Sequence, residues 1–261
     1  MLLNNAHSSD TTSFTYAGFS QHQDKLIFQG DARINSIYDL ELTPDPATKN
    51  SVGRVLYEDE IQLWEKSTHG ISISDFETTI TFNLTSNDNK PADGFAFFIA
   101  PPDSTIPKDS YGGYLGLFDP RTALDPSKNQ VVAVELDTFI NSWDPSSTHI
   151  GIDLNSIVSA RTIPWERQDK AKGEVRINYN GHAKFLTVES DYFDGKSYAV
   201  AFSVDLTTRL PEKVRVGLSA ATGGHIQVHT IHAWDFKSKL IRDDFKSKLI
   251  KDEDMYISSV V

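Results

Sequence analysis

Between Lys128 and Arg161 the chain carries no Lys or Arg. Inside that window stand Glu135, Asp137, Asn141, Asp144, His149 and Asp153. Glu135 and Asp137 lie two apart in an apolar segment that reads as a strand, so both side chains leave the same face. That places two carboxylates about 7 Å apart with no cationic side chain nearby in sequence. Carboxylates so close repel unless one is protonated or a cation sits between them. The following turn adds oxygen ligands at Asn141 and Asp144, then an imidazole at His149. Oxygen donors suit Ca2+, and carboxylates mixed with one His suit Mn2+ or a similar transition ion. A paired site fits the count: one ion with the His, one with oxygens only, sharing Asp137 and Asp144. Acidic runs are ordinarily solvated faces, and a lone His is ordinarily a surface or core residue. The same-face pair, the missing cations and the trailing His weigh toward metal.

A sugar site has a local rationale beside it. Saccharides need planar hydrogen-bonding groups for their hydroxyls and an aromatic face for their C–H patches. Phe139 and Asn141 adjoin the acidic residues. Asp93, in Pro91-Ala92-Asp93-Gly94, starts a Phe-rich strand, and Gly113 allows close backbone approach. Taken singly, each is an ordinary turn or loop residue.

These residues need a β framework, and the patterning supplies one. Strict alternation marks half-buried strands at Tyr198, Val200, Phe202, Val204 and Leu206, and at Val175, Ile177 and Tyr179. Phe76, Ile80, Phe82 and Leu84 repeat it, as do Val214, Val216 and Leu218. Phe95 to Ala100 and Val131 to Val134 are continuous apolar runs, predicting strands buried on both faces. Turn residues such as Tyr111-Gly112-Gly113, Asp144-Pro145 and Asn180-Gly181 separate them. No long window has capped helical periodicity, so the expected class is an all-β sandwich or jelly roll.

The 261 residues are 39% apolar and 23% charged, enough for a core and too apolar for wholesale disorder. All-β sandwiches of this length are routinely one domain. A net charge of −11 disfavours nucleic acid and anionic lipid as partners, and no apolar run is long enough to span a bilayer. The absence of Cys excludes disulfides, thiol catalysis and Cys-type zinc or iron–sulfur sites. Residues 1–9 read as a signal-peptide remnant or a disordered N-terminus, 10–240 as the sandwich domain, and 241–261 as a mobile tail or short helix. Asp235 to Ile241 recurs as Asp244 to Ile250, one duplication and too few copies for a solenoid. Asn83-Leu84-Thr85 is the only glycosylation sequon.

The ordered motifs resemble the legume lectin family from about Thr12 to Leu240. They begin with Phe14 and the segment Leu26 to Ala32, which look like the family's opening strand. They continue through Ala92-Asp93-Gly94-Phe95, Gly113 to Phe118, Val132 to Phe139, Asn141 to Pro145 and His149 to Ile157. Leu210 to Ala220 and Trp234 complete the series.

The resemblance implies an antiparallel jelly-roll sandwich and a cis Ala92–Asp93 peptide. It implies a transition-ion (Mn2+) site of Glu135, Asp137, Asp144 and His149, with Ser159 reaching it through water. It implies a Ca2+ site of Asp137, the Phe139 carbonyl, Asn141 and Asp144. The monosaccharide would meet Asp93, Gly113, Phe139, Asn141 and the loop Gly223-Gly224-His225. The ions would do no chemistry; they would preorganise the pocket.

The short segment Thr222 to Trp234 resembles mannose/glucose members, with galactose or GalNAc binding as the rival. The resemblance also implies glycans and glycoproteins as partners, a homodimer or homotetramer, and a defence role. It further implies passage through the secretory pathway to the outside or to a seed storage vacuole. A metal-free defence relative, an arcelin or amylase inhibitor, is a further alternative, although every metal and sugar position is retained here. A jelly-roll β-glucanase is the enzyme alternative. It needs paired carboxyls, and Phe139 stands where that family carries its third acid, so no enzyme is expected.

Overall fold

The alternation at Phe76, Ile80, Phe82 and Leu84 lies in the longest strand, and those side chains point into the space between two sheets. A computed structural model describes residues 11–19, 25–68, 70–86, 90–193 and 195–242. In chain order the strands are β1 (Thr11–Tyr16), β2 (Leu26–Gly30), β3 (Arg33–Ile34), β4 (Leu40–Thr43), β5 (Val52–Tyr57), β6 (Ile61–Gln62), β7 (Trp64–Ser67), β8 (Gly70–Thr85), β9 (Gly94–Ala100), β10 (Val132–Asp137), β11 (His149–Leu154), β12 (Arg161–Pro164), β13 (Lys172–Asn180), β14 (Phe185–Tyr192), β15 (Ser197–Ser203), β16 (Lys213–Ala221) and β17 (Val228–Ile241).

A nine-stranded back sheet runs β15-β14-β13-β8-β17-β4-β3, with β1 added to β17 and β7 to β8. An eight-stranded front sheet runs β12-β11-β10-β9-β16-β5-β2, with β6 added to β16. The crossovers between non-consecutive neighbours make this an antiparallel jelly-roll sandwich. Phe82, Phe95, Val134, Trp165, Tyr192 and Trp234 fill the space between the sheets. The Phe82 and Phe95 rings lie 5.0 Å apart. Burying each such side chain contributes about 1.5–3 kcal/mol before entropy is counted.

A second core lies on the outer face of the front sheet. Leu56, Ala96, Phe98 and Ala133 pack there against Leu115, Leu117, Phe118, Ala123 and Ile157 from the covering loops. Every residue of β9 and β10 is therefore buried, which explains their continuous apolar runs.

Two expectations change. The alternating run from Tyr198 to Leu206 is strand only as far as Ser203. The Asp205 carboxylate then accepts from Thr207 N–H and starts a 3-10 turn, so Val204 and Leu206 are buried outside the strand. Phe14 and the segment Leu26 to Ala32 are not one opening strand: β1 belongs to the back sheet and β2 to the front. At the far end, β17 runs on beside β8 and the described residues reach Arg242. Ile241 closes β17, and Arg242 Nε pairs with Glu65 Oε1 at 2.6 Å. The first copy of the duplicated segment thus ends β17, with Phe236 and Leu240 buried. Residues 1–9 and the second copy lie outside the described residues.

Candidate metal centre and ligand-binding face

β10 is an interior strand between β9 and β11. Val132, Val134 and Leu136 face the inter-sheet core, so Glu135 and Asp137 face outward. The ladder sets Asp137 opposite His149, Glu135 opposite Gly151 and Ala133 opposite Asp153. One face of two strands thus carries Glu135, Asp137, His149 and Asp153, each at most 1% exposed. One ligand atom from each of Glu135, Asp137 and His149 lies within 4.8 Å of the other two. His149 Nε2 is 3.1 Å from Glu135 Oε1. Gly151 makes this possible, because a β-carbon there would lie 2.5 Å from Glu135 Oε1.

Ser159 Oγ lies 2.5 Å from Glu135 Oε1 and 2.7 Å from Asp153 Oδ1. One hydroxyl proton cannot serve two carboxylates, so the arrangement calls for a further proton or a cation. Asp153, which the sequence placed in the acidic window without a ligand role, joins the cluster here. Its signal was present: it follows His149 by four in a strand, hence on the same face. Ser159 meets the cluster directly through Glu135.

The loop after β10 folds back on the acids. Phe139 N–H donates to Asp137 Oδ1 (2.7 Å), and Asn141 N–H donates to Asp144 Oδ2 (2.6 Å). Asp144 is outside the three-residue group, yet its charge reaches it. Burial pushes Asp137 well above the carboxylate range, with Glu135 and Asp144 adding to the rise. Burial likewise pushes Asp144 up to about 6 and Asp153 well upward. Burial acts to lower His149, but the Glu135 hydrogen bond and charge override it and hold it above its ordinary value. No Lys or Arg pairs with these acids among the described residues.

Asp93 adjoins this cluster at the start of β9, after a cis Ala92–Asp93 peptide. Its amide donates to Ala221 O (2.9 Å), and Thr138 N–H donates to Asp93 O (2.8 Å). Burial pushes its carboxyl up to about 7, partly offset by His225. Gly223 crowds it: a β-carbon there would lie 3.0 Å from Asp93 Oδ2. A β-carbon on Gly113 would lie 2.9 Å from Asn141 Nδ2 and closer still to Oδ1. The Phe139 and His225 rings are 5.6 Å apart. Gly224 is exposed and has open space where a side chain would go.

Asp93, Gly113, Phe139, Asn141, Gly224 and His225 therefore converge at one end of the front sheet, beside the acids. Asp93 Oδ2, Asn141 Oδ1 and Asp153 Oδ2 are buried without a hydrogen-bond partner. Orphaned acceptors next to paired carboxylates fit a centre for hard cations. Asn83 lies apart, in β8. Its Nδ2 donates to Lys170 O (2.7 Å), and Thr85 Oγ1 donates to its Oδ1 (2.8 Å).

A two-sheet jelly roll with a buried acid–imidazole cluster beneath a rim of loops defines a lectin-type sandwich. The legume lectin domain model matches residues 11–251. A mannose/glucose-specific lectin of Centrolobium tomentosum is 48% identical over 241 residues, covering 89% of this chain and 98% of the relative. The metal-free form of lectin I-B4 from Griffonia simplicifolia is 46% identical with a TM-score of 0.82, covering 88% of this chain and 100% of that one. A Bauhinia forficata lectin in complex with GalNAc is 39% identical with a TM-score of 0.80, covering 89% and 100%. This chain belongs to the legume lectin family and is a carbohydrate-binding protein of that family.

Proposed function

We propose that this chain binds mannose/glucose-type glycans in a Ca2+- and Mn2+-dependent manner, without catalysis. The observation that carries the reading is the Asn141 amide. Its Oδ1 is buried and unpartnered between the acidic cluster and Gly113. Glu135, Asp137, Asp144 and His149 would hold the transition ion; Asp137, the Phe139 carbonyl, Asn141 and Asp144 would hold Ca2+. When bound, the ions neutralise the carboxylates and fix the loop. This chain's own residues then do the recognition. Asp93 and Asn141 accept and donate to sugar hydroxyls, Phe139 offers its ring, and Gly113, Gly224 and His225 bring backbone N–H groups close.

The short turn between β16 and β17 and the name of the Centrolobium relative favour mannose/glucose. The GalNAc complex of the Bauhinia lectin keeps galactose-type sugars as the second reading. Hydrolysis is not part of the proposal, because Phe139, which stands in the loop past the end of β10 rather than on the strand, offers no third acid beside Glu135 and Asp137. A homodimer or homotetramer and delivery through the secretory pathway complete the reading.

Titration calorimetry with methyl α-mannoside and methyl α-galactoside, with and without Ca2+ and Mn2+, tests it. Mannoside binding that needs both ions is the expected result. Undiminished binding after chelation, with elemental analysis finding no metal, would overturn it.

A further inference from the structure

The segment that carries Gly113 has an unusual backbone. Gly112, Leu115 and Gly116 all have left-handed φ, at 66°, 53° and 69°. For Leu115 this costs about 1–2 kcal/mol, and such a conformation persists only where the surroundings over-determine it. The Leu115 side chain is fully buried in the outer core. Two side chains from the sheet below hold the adjoining carbonyls. Ser219 Oγ, on β16, donates to Leu115 O at 2.5 Å. Arg54 Nη1, on β5, donates to Gly116 O at 3.3 Å. Ser219 and Arg54 are direct partners in the β16–β5 ladder.

Arg54 is an expensive residue for that place. It is 1% exposed. Its other partners are Ser104 Oγ at 3.0 Å and the Phe98 ring, 4.4 Å from the guanidinium carbon. No carboxylate pairs with it among the described residues, and its Nε has no partner. Burial alone pushes it down to about 9. An apolar side chain of similar volume would fill the site at lower desolvation cost. Filling space is therefore a poor account of it, and holding a loop carbonyl is a better one.

We propose that Arg54 and Ser219 are positioning residues for the saccharide face: by holding the Gly116 and Leu115 carbonyls they set how closely Gly113 approaches Asn141. Neither reaches the sugar. The inference rests on the sugar-binding reading above and deepens it.

The test uses the full chain loaded with Ca2+ and Mn2+. Arg54→Met, Arg54→Lys, Ser219→Ala and the Arg54→Met/Ser219→Ala double variant are compared with Val188→Ala, a control in the distant back-sheet core. Amide exchange at residues 112–116 is measured without sugar, and affinity for methyl α-mannoside and methyl α-galactoside by calorimetry. Arg54→Met should speed exchange there and weaken binding of whichever sugar binds by about tenfold, with metal content unchanged. Arg54→Lys should recover part of the loss, and the double variant should lose less than the product of the singles. Val188→Ala should lower the melting temperature and leave affinity alone. Unchanged exchange at 112–116 in Arg54→Met and Ser219→Ala would overturn the proposal. So would wild-type sugar affinity in Arg54→Met. A wild-type chain that binds neither sugar defeats the functional reading instead, and the exchange rates then decide alone whether these two residues hold the loop.

Discussion

Asp137 stands directly across the β10–β11 ladder from His149, and that pairing also sets Glu135 against Gly151. Two strands brought into this register convert a same-face carboxylate pair into a three-residue cluster.

Asp137→Asn separates the cost of this cluster from its use. Burial and the neighbouring carboxylates hold Asp137 far above its ordinary value. The metal-free variant should be more stable than the metal-free parent at neutral pH, because an amide carries no charge to desolvate. Each tenfold rise in proton affinity that the folded site imposes on a carboxyl corresponds to about 1.4 kcal/mol. Supplied with both ions, the variant should lose metal and bind sugar at least about a hundredfold more weakly. Calorimetry with elemental analysis checks both arms; retained metal with near-normal affinity would remove Asp137 from the centre.

The ion-free protein should grow less stable as pH rises. Asp93 is held at about 7 and Asp144 at about 6, each chiefly by burial. A carboxyl raised on folding gives its full stabilisation below the unfolded value of about 3.9 and loses it as pH climbs through the folded value. His149, raised mainly through Glu135 against its burial, acts with the same sign. The ion-free melting temperature should therefore be higher near pH 5 than near pH 8. The ion-loaded protein should slope the other way, because its ligands must be deprotonated. Scanning calorimetry at the two pH values, with and without chelator, reads this; a flat ion-free profile would contradict it.

Gly113→Ala should abolish sugar binding and spare the fold. The new methyl would collide with the Asn141 side-chain amide. Asn141→Ala should likewise keep the β spectrum and eliminate binding. In the double variant the collision is gone, so stability should recover while binding stays absent. Recovered binding there would deny Asn141 a direct role.

Gly151→Ala places a methyl 2.5 Å from Glu135 Oε1. Overpacking of this kind costs about 1–3 kcal/mol. Metal affinity should drop together with stability, which metal titration against thermal melts will show.

The sequence made β10 legible because a period of two needs no partner: Glu135 and Asp137 share a face in any strand. The double burial of β9 and β10 was legible from their unbroken apolar runs. What lay hidden was non-local. Nothing local marks Gly151 until the ladder sets it opposite Glu135. The bridge that Ser159 makes between Glu135 and Asp153 exists only once the segment after β11 folds back. The end of β15 was misplaced because Val204 and Leu206 stay buried after the Asp205 turn, so burial outlasted the strand. The division of β1 from β2 depends on which sheet each joins, which alternation cannot say.

Gly224 has nothing within 4 Å of the place a side chain would occupy, whereas Gly113 and Gly223 beside it are hemmed in by Asn141 and Asp93. Position 224 can therefore accept almost any residue without disturbing the scaffold beneath it. On the reading proposed above, a small designed library at this one address retunes glycan preference while the rest of the molecule stays constant.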